Sequence, residues 1–342
     1  MKNHKLIVII FSLIFLNSFG QKKELKAVEK ALKTKDFVTA KENIVEVEKY
    51  DLQDADDKIK IKYHYLKGVS YYAEGDSSLD DAYLALDNFK KVISLEEELT
   101  YKNYTEKVKP LRSAMLNKFV EKAKGALDLK DYKTSYANLE SAFRVSPSDT
   151  LYLYNAALLA TETKDFDVAM NFYKELEDLG FTGVSTNYYA IQVETGEEQS
   201  FASESNRDLF IKAGSHKDGR NELTVSVQLN VFRSMAAIYK NLGDTDNALS
   251  YIYKAKEISS EDINLILLES NIKWDLGDVE AYKVLISQAL EIDPSNADLL
   301  FNLGVVAANN EEIEKAKMYY DKAIKVDPKY TKAYLNMAAL IL

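Results

Sequence analysis

Apolar residues recur along the chain with a helical spacing, and small residues recur among them at a longer, constant interval. Ala255, Ala289 and Ala323 are equally spaced, and Pro294 and Pro328 share their interval. The interval is about 34 residues, a length typical of stacked helix pairs, because one such pair is too small to bury its own apolar face. The pattern therefore predicts an all-α chain of stacked pairs with a long exposed surface.

The best-preserved unit covers residues 297–330 and reads ADLLFNLGVVAANNEEIEKAKMYYDKAIKVDPKY. Its small residues let two helix backbones approach, larger apolar residues fill the space between them, and a proline ends the second helix. These positions are Leu300, Leu303, Gly304, Ala307, Ala316, Tyr320, Ala323 and Pro328. With these residues the unit resembles the tetratricopeptide repeat (TPR), which implies an all-α solenoid, or superhelix, of helix-turn-helix pairs.

The same pattern continues towards the N-terminus with decreasing regularity. Further units lie at 263–296, 229–262, 150–183 and 116–149, with looser pairs at 24–48 and 55–96. We therefore expect seven helix pairs, one atypical unit and a terminal half-pair. The predicted organisation is a signal peptide at 1–20, divergent helical repeats at 21–115, a TPR pair at 116–183, an atypical insertion unit at 184–228 and a TPR array at 229–342.

Residues 331–342 predict the first helix of another repeat, and no second helix follows it in the sequence. A stack of repeats normally ends on a polar capping face, whereas this helix carries Met337 and Leu340. Two interpretations stay open. The sequence is part of a longer protein, or Met337–Leu342 docks on a partner.

Residues 1–20 have the pattern of a secretory signal peptide. Lys2 and Lys5 precede the apolar run Leu6–Leu16, and small residues end the segment at Gly20. The alternative is an uncleaved membrane anchor, for which the run is short. We expect an exported protein of the periplasm or cell envelope, or a secreted one, without a stable membrane span after cleavage. The leader resembles those of Bacteroidetes envelope proteins.

The composition disfavours nucleic acid as a partner and gives little support to catalysis. The net charge of −10 becomes −12 without Lys2 and Lys5, and such a chain repels phosphate backbones. We expect the acidic runs 54–57 and 96–98 to be solvated helix ends.

His64 and His216 have no metal-ligand pattern around them, and no phosphate loop or nucleophile motif occurs. This predicts a non-enzymatic protein without cofactor or metal, and the absence of cysteine means that no disulfide supports it.

The array is interrupted between Ala169 and Ala248, whose separation in the sequence is two periods and a short remainder. Within this stretch, 187–203 predicts a short β-hairpin turning at Thr195-Gly196, 206–213 predicts a helix, and 214–221 predicts a loop. The segment is either a distorted repeat with a surface excursion or a functional projection. In the second case its contacts with a partner would be Tyr188, Tyr189, Phe201, Arg207 and Phe210.

The first helices of successive repeats are expected to form a groove that binds a protein or an extended peptide, because amides and aromatic rings suit a peptide backbone and its side chains. The predicted groove residues are Tyr154, Asn155, Arg233, Asn271, Phe301, Asn302 and Asn336. For Asn302 and Asn336, a purely structural role is the alternative.

Some TPR proteins clamp a carboxylate with Lys and Asn, but Arg233, Leu267 and Phe301 stand where lysine would be needed. The implied function is an interaction scaffold; the alternative is a module that binds carbohydrate or envelope polymer through faces such as Trp274.

Overall fold

The computed structural model describes residues 21–50, 52–53, 55–99 and 102–340. The predicted signal peptide, and part of the terminal apolar segment 337–342, lie outside the described residues. The chain divides after Thr163 into two compact units.

The first unit consists of helices that alternate in direction through short turns. They are α1 (21–33), α2 (Phe37–Glu48), α3 (Asp57–Tyr72), a 3₁₀ turn (Ala73–Gly75), α4 (Leu79–Glu98), α5 (Thr105–Asp128), α6 (Tyr132–Val145) and α7 (Leu151–Glu162). Two buried apolar clusters hold them together, one centred on Val28 and Ile44 and the other on Phe89 and Met115. The boundary predicted at 115/116 falls inside α5, because the sequence pattern did not show that this helix begins at Thr105.

The second unit is a helical array that carries a small sheet near its start. Its elements are α8 (Phe166–Asp178), β1 (Thr186–Gln192), β2 (Glu198–Phe201), α9 (Glu204–Lys212), β3 (His216–Leu223), α10 (Gln228–Asn241), α11 (Thr245–Ile258), α12 (Ile263–Asp275), α13 (Val279–Ile292), α14 (Ala297–Asn309), α15 (Ile313–Val326) and α16 (Thr331–Ala339). The all-α fold with a β insertion is confirmed. Six of the seven predicted pairs lie within one unit, and α7 and α8 fall on either side of the division.

Most of the turns inside a pair share one construction. One residue of the turn adopts a left-handed backbone conformation, and the residue after it caps the second helix. Lys35, Lys130, Gly243 and Gly277 take the left-handed position. The caps are Asp36, Asp131, Asp244 and Asp278, each of which accepts a hydrogen bond from a backbone N–H three residues on. This explains why Gly-Asp and Lys-Asp precede the second helices.

Close approach of two helices is clearest at Gly304 of α14. A Cβ atom at this position would lie 2.5 Å from a ring carbon of Tyr320, whose side chain on α15 is 1% exposed. The pair Gly68 and Phe89 repeats this contact between α3 and α4, also at 2.5 Å. The small residue at this position of a repeat is therefore required by an aromatic ring packed against the backbone.

Gly304→Ala is expected to destabilise the protein by about 1–3 kcal/mol, because the added methyl group would force the buried ring of Tyr320 to shift. This loss would outweigh the roughly 1 kcal/mol that alanine gains over glycine inside a helix. Gly125→Ala is the matched control, since a Cβ there meets no atom within 4 Å, and it should stabilise α5. Urea unfolding of both variants checks the prediction. A stabilised Gly304→Ala would contradict it.

The insertion forms a three-stranded antiparallel sheet with the order β2-β1-β3. The predicted hairpin corresponds to β1 and β2, and the predicted helix corresponds to α9. The loop predicted at 214–221 is wrong, because β3 occupies most of it. Its polar sequence gave no strand pattern, and a bulge beside Asp218, whose φ is 51°, interrupts the alternation of side chains. Backbone pairing with β1 forms this strand.

The insertion leaves the helical array and returns to it at one point. Val227 N–H donates to the carbonyl of Thr182 over 2.8 Å, and α8 packs directly against α10. Tyr251 and Lys254 of α11 each donate to Glu177 of α8 over 2.6 Å. The helical array thus continues directly from α8 to α10, and the segment with the sheet is inserted between these two helices. The stretch from Ala169 to Ala248 was interpreted as two repeat periods and a remainder, with a distorted repeat. That interpretation is wrong, because the inserted segment contains no helix pair.

Candidate partner-binding surfaces

An apolar groove of about 370 Å³ lies between α5, α6 and α7 in the first unit. Two first helices, α5 and α7, contribute most of its lining, and α6 contributes Ser135 and Leu139. The lining residues are Val120, Ala123, Lys124, Leu127, Ser135, Leu139, Asn155, Leu158 and Leu159. The groove therefore lies on the first-helix face that the repeat pattern predicts for partner contacts.

The groove combines exposed apolar side chains with few polar groups. Leu127 and Leu158 are 44% and 39% exposed. Ser135 is buried, and its hydroxyl donates to the carbonyl of Ala123 over 2.9 Å, so it presents little polarity to the groove. Lys124 and Asn155 supply the remaining polar groups. Such a surface can bury an apolar side chain of a ligand while an amide hydrogen-bonds its backbone.

Of the two groove residues predicted in the first unit, Asn155 lines this groove and is exposed. Tyr154 lies next to it on α7, is partly buried and does not line the groove. Val120, Lys124 and Leu127 of α5 also line the groove, although they were not among the predicted residues. The seven-residue spacing of Val120 and Leu127 was a usable signal, because it places both on one face of a helix.

In the second unit the structure places all the predicted groove residues on first helices but gives most of them partners inside the protein. Arg233 donates to Asp262 over 3.2 Å and to Asn230 over 2.8 Å. The ring of Phe301 packs on Tyr320 and Tyr330, with centroids 5.6 and 5.4 Å away. These contacts tie neighbouring helices together.

The two predicted asparagines of α14 and α16 also bind inside the array. Asn302 interacts with the side chain of Tyr282, and Asn336 donates to the hydroxyl of Tyr320 over 3.3 Å. Both contacts join a first helix to the second helix of the preceding repeat, which supports the structural alternative for these two residues. Asn271 of α12 is exposed.

The insertion has a small core of its own. Phe201 and Phe210 pack around the buried His216, with ring centroids 5.1 and 5.4 Å from the imidazole. Gln199 and Ser215 lie within hydrogen-bonding distance of the two ring nitrogens of His216, at 2.9 and 3.0 Å. Phe210 remains 44% exposed. His216 is therefore a packed residue between α9 and the sheet.

Arg207 was expected to contact a partner, but the structure corrects this expectation. The side chain is buried, 7% exposed, and its guanidinium binds Asp208 at 2.7 Å and Asn221. It also lies over the ring of Tyr188, 5.9 Å from the centroid. Arg207 is thus used to attach α9 to the sheet.

Tyr189 lies on the opposite face of the sheet, where the guanidinium of Arg220 sits 4.3 Å from its ring centroid. Arg220 in turn binds Glu198 of β2 at 2.7 Å and Glu222 at 2.5 Å. The side chains of three strands are therefore linked on an exposed polar face. Of the five predicted contacts, Phe210 offers the largest exposed apolar surface.

The acidic run 96–98 was predicted to be a solvated helix end, but it contains a buried structural carboxylate. Glu96 is fully buried and accepts hydrogen bonds from the backbone N–H groups of Asn103, Tyr104 and Thr105 at 2.8–3.1 Å. Burial by itself would raise the pKa of Glu96, but these hydrogen bonds outweigh it and lower the pKa. Glu96 therefore holds the start of α5 against the end of α4.

His64 is also a structural residue. Its Nδ1 lies 2.8 Å from Oδ1 of the buried Asn88, whose amide donates to the carbonyl of Leu84. Burial lowers the pKa of His64, although the hydrogen bond to Asn88 opposes this. Among the described residues, no group of three or more His, Asp or Glu side chains is arranged to hold a metal ion. None of the helices in the described part has the length and apolarity needed to cross a bilayer.

Comparison with protein families explains the shared geometry of these helix pairs. A model described as tetratricopeptide repeat matches residues 297–330, and a second model with the same description matches residues 234–262. The chain contains tetratricopeptide repeats at these two ranges. The matched ranges include Gly304 and Tyr320 of α14 and α15, and most of the pair α10 and α11. Proteins with this repeat serve as protein–protein interaction scaffolds.

Solved structures similar to the chain include YrrB, described as a TPR protein with an unusual peptide-binding site, at 16% identity and a TM-score of 0.42. The match covers 69% of this chain and 97% of YrrB. MamA from Desulfovibrio magneticus RS-1 has 11% identity, coverages of 63% and 97%, and a TM-score of 0.44. A TPR protein from Parabacteroides merdae has 13% identity, coverages of 94% and 99%, and a TM-score of 0.34. A search of curated proteins finds no match.

Proposed function

We propose that this TPR protein is a non-enzymatic scaffold that binds an extended peptide segment of a partner protein in the cell envelope. The observation that carries the proposal is the apolar groove between α5 and α7, with Asn155 among its lining residues. An extended peptide offers alternating apolar side chains and backbone amides, and the groove offers leucines and an amide to receive them.

The chemistry of the remaining surface supports a peptide better than a carbohydrate. A glycan-binding face would present flat aromatic rings in a row, whereas Trp274, 43% exposed, is inclined at 54° on Tyr282. Tyr189 lies under Arg220. A carboxylate clamp has little support, because Arg233 is bound to Asp262 and Phe301 is packed against Tyr320. An internal segment of the partner fits these residues better than its C-terminus.

Export is proposed from the leader sequence at residues 1–20, whose basic start and apolar run are typical of a signal peptide. A partner in the periplasm or envelope follows from that location. Proteolytic mapping of the N-terminus of the protein recovered from an envelope fraction would test it, with cleavage before Gln21 expected.

Leu158→Glu is the test of the groove, because it places a carboxylate among Val120, Leu127 and Leu159 without disturbing a fully buried residue. We expect capture of the partner from an envelope extract to fall about tenfold or more, since a charge would have to be desolvated on binding. Leu151→Glu is the matched control: Leu151 is also on α7, is 46% exposed and does not line the groove.

Equal capture by the wild-type protein, Leu158→Glu and Leu151→Glu would refute the groove as the binding site. A deletion of 184–225 that joins Gly183 to Ser226 through a short Gly-Ser linker then tests the insertion. The ends are already close, because Ser226 donates to the carbonyl of Thr182 over 3.0 Å. Loss of capture with retained helical circular dichroism would move the site to the insertion.

A further inference from the structure

The groove between α5 and α7 contains a positive charge that has no partner within the described part of the protein. Lys124 of α5 lines the groove and is exposed. No carboxylate of the described residues lies within ion-pairing distance of its ammonium group. Its neighbours on the same helix differ. Lys122 donates to the carbonyl of Gly75 over 3.3 Å. Lys118 lies 3.6 Å from Glu121. Lys124 can therefore bind a ligand without giving up a contact inside the protein.

The apolar side chains of the groove are accessible to the same ligand. Leu127 and Leu158 are 44% and 39% exposed, so each has apolar area that an occupant of the groove would remove from water. Asn155, also exposed, has no side-chain hydrogen bond to another described residue. The groove thus offers apolar area, one amide and one ammonium group.

The repeat places Lys124 beside these leucines. Lys124 and Leu158 are separated by one repeat interval, so they hold equivalent positions on the successive first helices α5 and α7. Lys124 and Leu127 are three residues apart on α5, and Cβ atoms at this spacing lie about 5–6 Å apart. In an extended chain, side chains two positions apart point to the same side, about 7 Å from each other. Residues two positions apart in an extended ligand can therefore reach Lys124 and Leu127 together.

The charge of the groove is opposite to that of the whole chain. The described lining contains Lys124 and no acidic side chain, whereas the net charge of the chain is −10. Asp128, one turn further along α5, lies outside the lining. The overall charge favours basic ligands at long range, but at physiological salt it is screened beyond about 8 Å. A preference of the groove for an acidic ligand would therefore come from Lys124 itself.

We propose that the groove selects an extended peptide segment in which an aspartate or glutamate stands two positions from a large aliphatic residue. Such selection presupposes the peptide binding proposed above, and it adds the chemistry of the bound segment. The aliphatic side chain covers Leu127 and Leu158, and the carboxylate binds Lys124 through a charge-assisted hydrogen bond. The amide of Asn155 binds the backbone of the segment. A basic residue in place of the acid would bring like charges together.

The experiment is selection from a phage-displayed library of random dodecapeptides by the purified full chain. Peptides recovered by the wild-type protein should share an aliphatic residue with Asp or Glu two positions away, enriched about threefold or more over the unselected library. The charge-reversal variant Lys124→Glu should keep the aliphatic residue and replace the acid by Lys or Arg. Lys90→Glu is the matched control, because Lys90 of α4 is exposed and lies outside the groove lining. It should select the same acidic motif as the wild type.

The results separate this selection from peptide binding as such. An aliphatic motif that disappears with Leu158→Glu but has no acidic neighbour would overturn the selection and leave the peptide groove standing. An acidic preference that Lys124→Glu leaves unchanged would do the same. Absence of any motif that depends on Leu158 would overturn both the selection and the groove. Thermal unfolding checks that Lys124→Glu stays folded, which is expected because Lys124 is exposed.

Discussion

Ala316→Arg is expected to destabilise the second unit by about 3 kcal/mol or more, because it forces a long charged side chain into a tight helix contact. Ala316 is fully buried in the cluster with Leu300, Ala307 and Tyr320. The guanidinium could leave this cluster only by separating α15 from α14. Since each repeat stabilises its neighbours, the loss should spread to adjacent pairs.

Met318→Arg is the control for Ala316→Arg. Met318 lies two residues further along α15 and is 42% exposed, so its substitution introduces the same charge on the solvent side. Thermal unfolding followed by circular dichroism should show a large decrease in midpoint for Ala316→Arg and a small change for Met318→Arg. Equal midpoints would show that Ala316 does not lie in a close contact.

Glu96→Gln is expected to destabilise the first unit by about 2–4 kcal/mol near neutral pH, because an ionised acceptor of several backbone hydrogen bonds is lost from a buried position. A glutamine at this position would offer one acceptor oxygen and would bring an amide NH₂ towards the donors of Asn103, Tyr104 and Thr105. The neighbouring Glu97 is exposed, so Glu97→Gln is the matched control and should change the free energy of unfolding little.

The effect of Glu96→Gln should depend on pH in a defined direction. The folded protein lowers the pKa of Glu96 below its ordinary value of 4.5. The stabilisation by the carboxylate is therefore complete above that ordinary value and is lost as the pH falls through the lower pKa of the folded state. Urea unfolding at several pH values should show the wild type and Glu96→Gln converging under acid conditions. A difference that stays constant would rule out the charged carboxylate as the cause.

The sequence alone determined the repeat and the local structure of each pair. The constant interval between Ala255, Ala289 and Ala323 predicted the stacking unit. The Asp caps of the second helices, which the structure shows, are also local in the sequence. These features depend on local geometry, because a cap binds the backbone three residues away and a helical face is set by spacing along one helix. The hairpin of β1 and β2 was predicted for the same reason, since its turn and both strands are close in the sequence.

The tertiary structure decided which polar residues are exposed and which are used inside the protein. Asn302 and Asn336 bind tyrosines of neighbouring helices, and Arg207 attaches α9 to β3, although their positions in the pattern suggested surface contacts. Glu96, at the end of α4, caps α5, which begins nine residues later. The spacing of residues along α4 could not show this contact. In each case the partner lies on another element.

The course of the chain through the insertion was likewise decided by contacts that are distant in the sequence. β3 has few apolar residues. It forms because its backbone pairs with that of β1, for example at Asn187 and Glu222, although β2 and α9 separate the two strands in the sequence. The array continues because Thr182 and Val227 hydrogen-bond across the base of the insertion and Glu177 binds Tyr251. Sequence periodicity reports spacing along one helix or strand, whereas these pairings depend on which surfaces meet after the chain has folded.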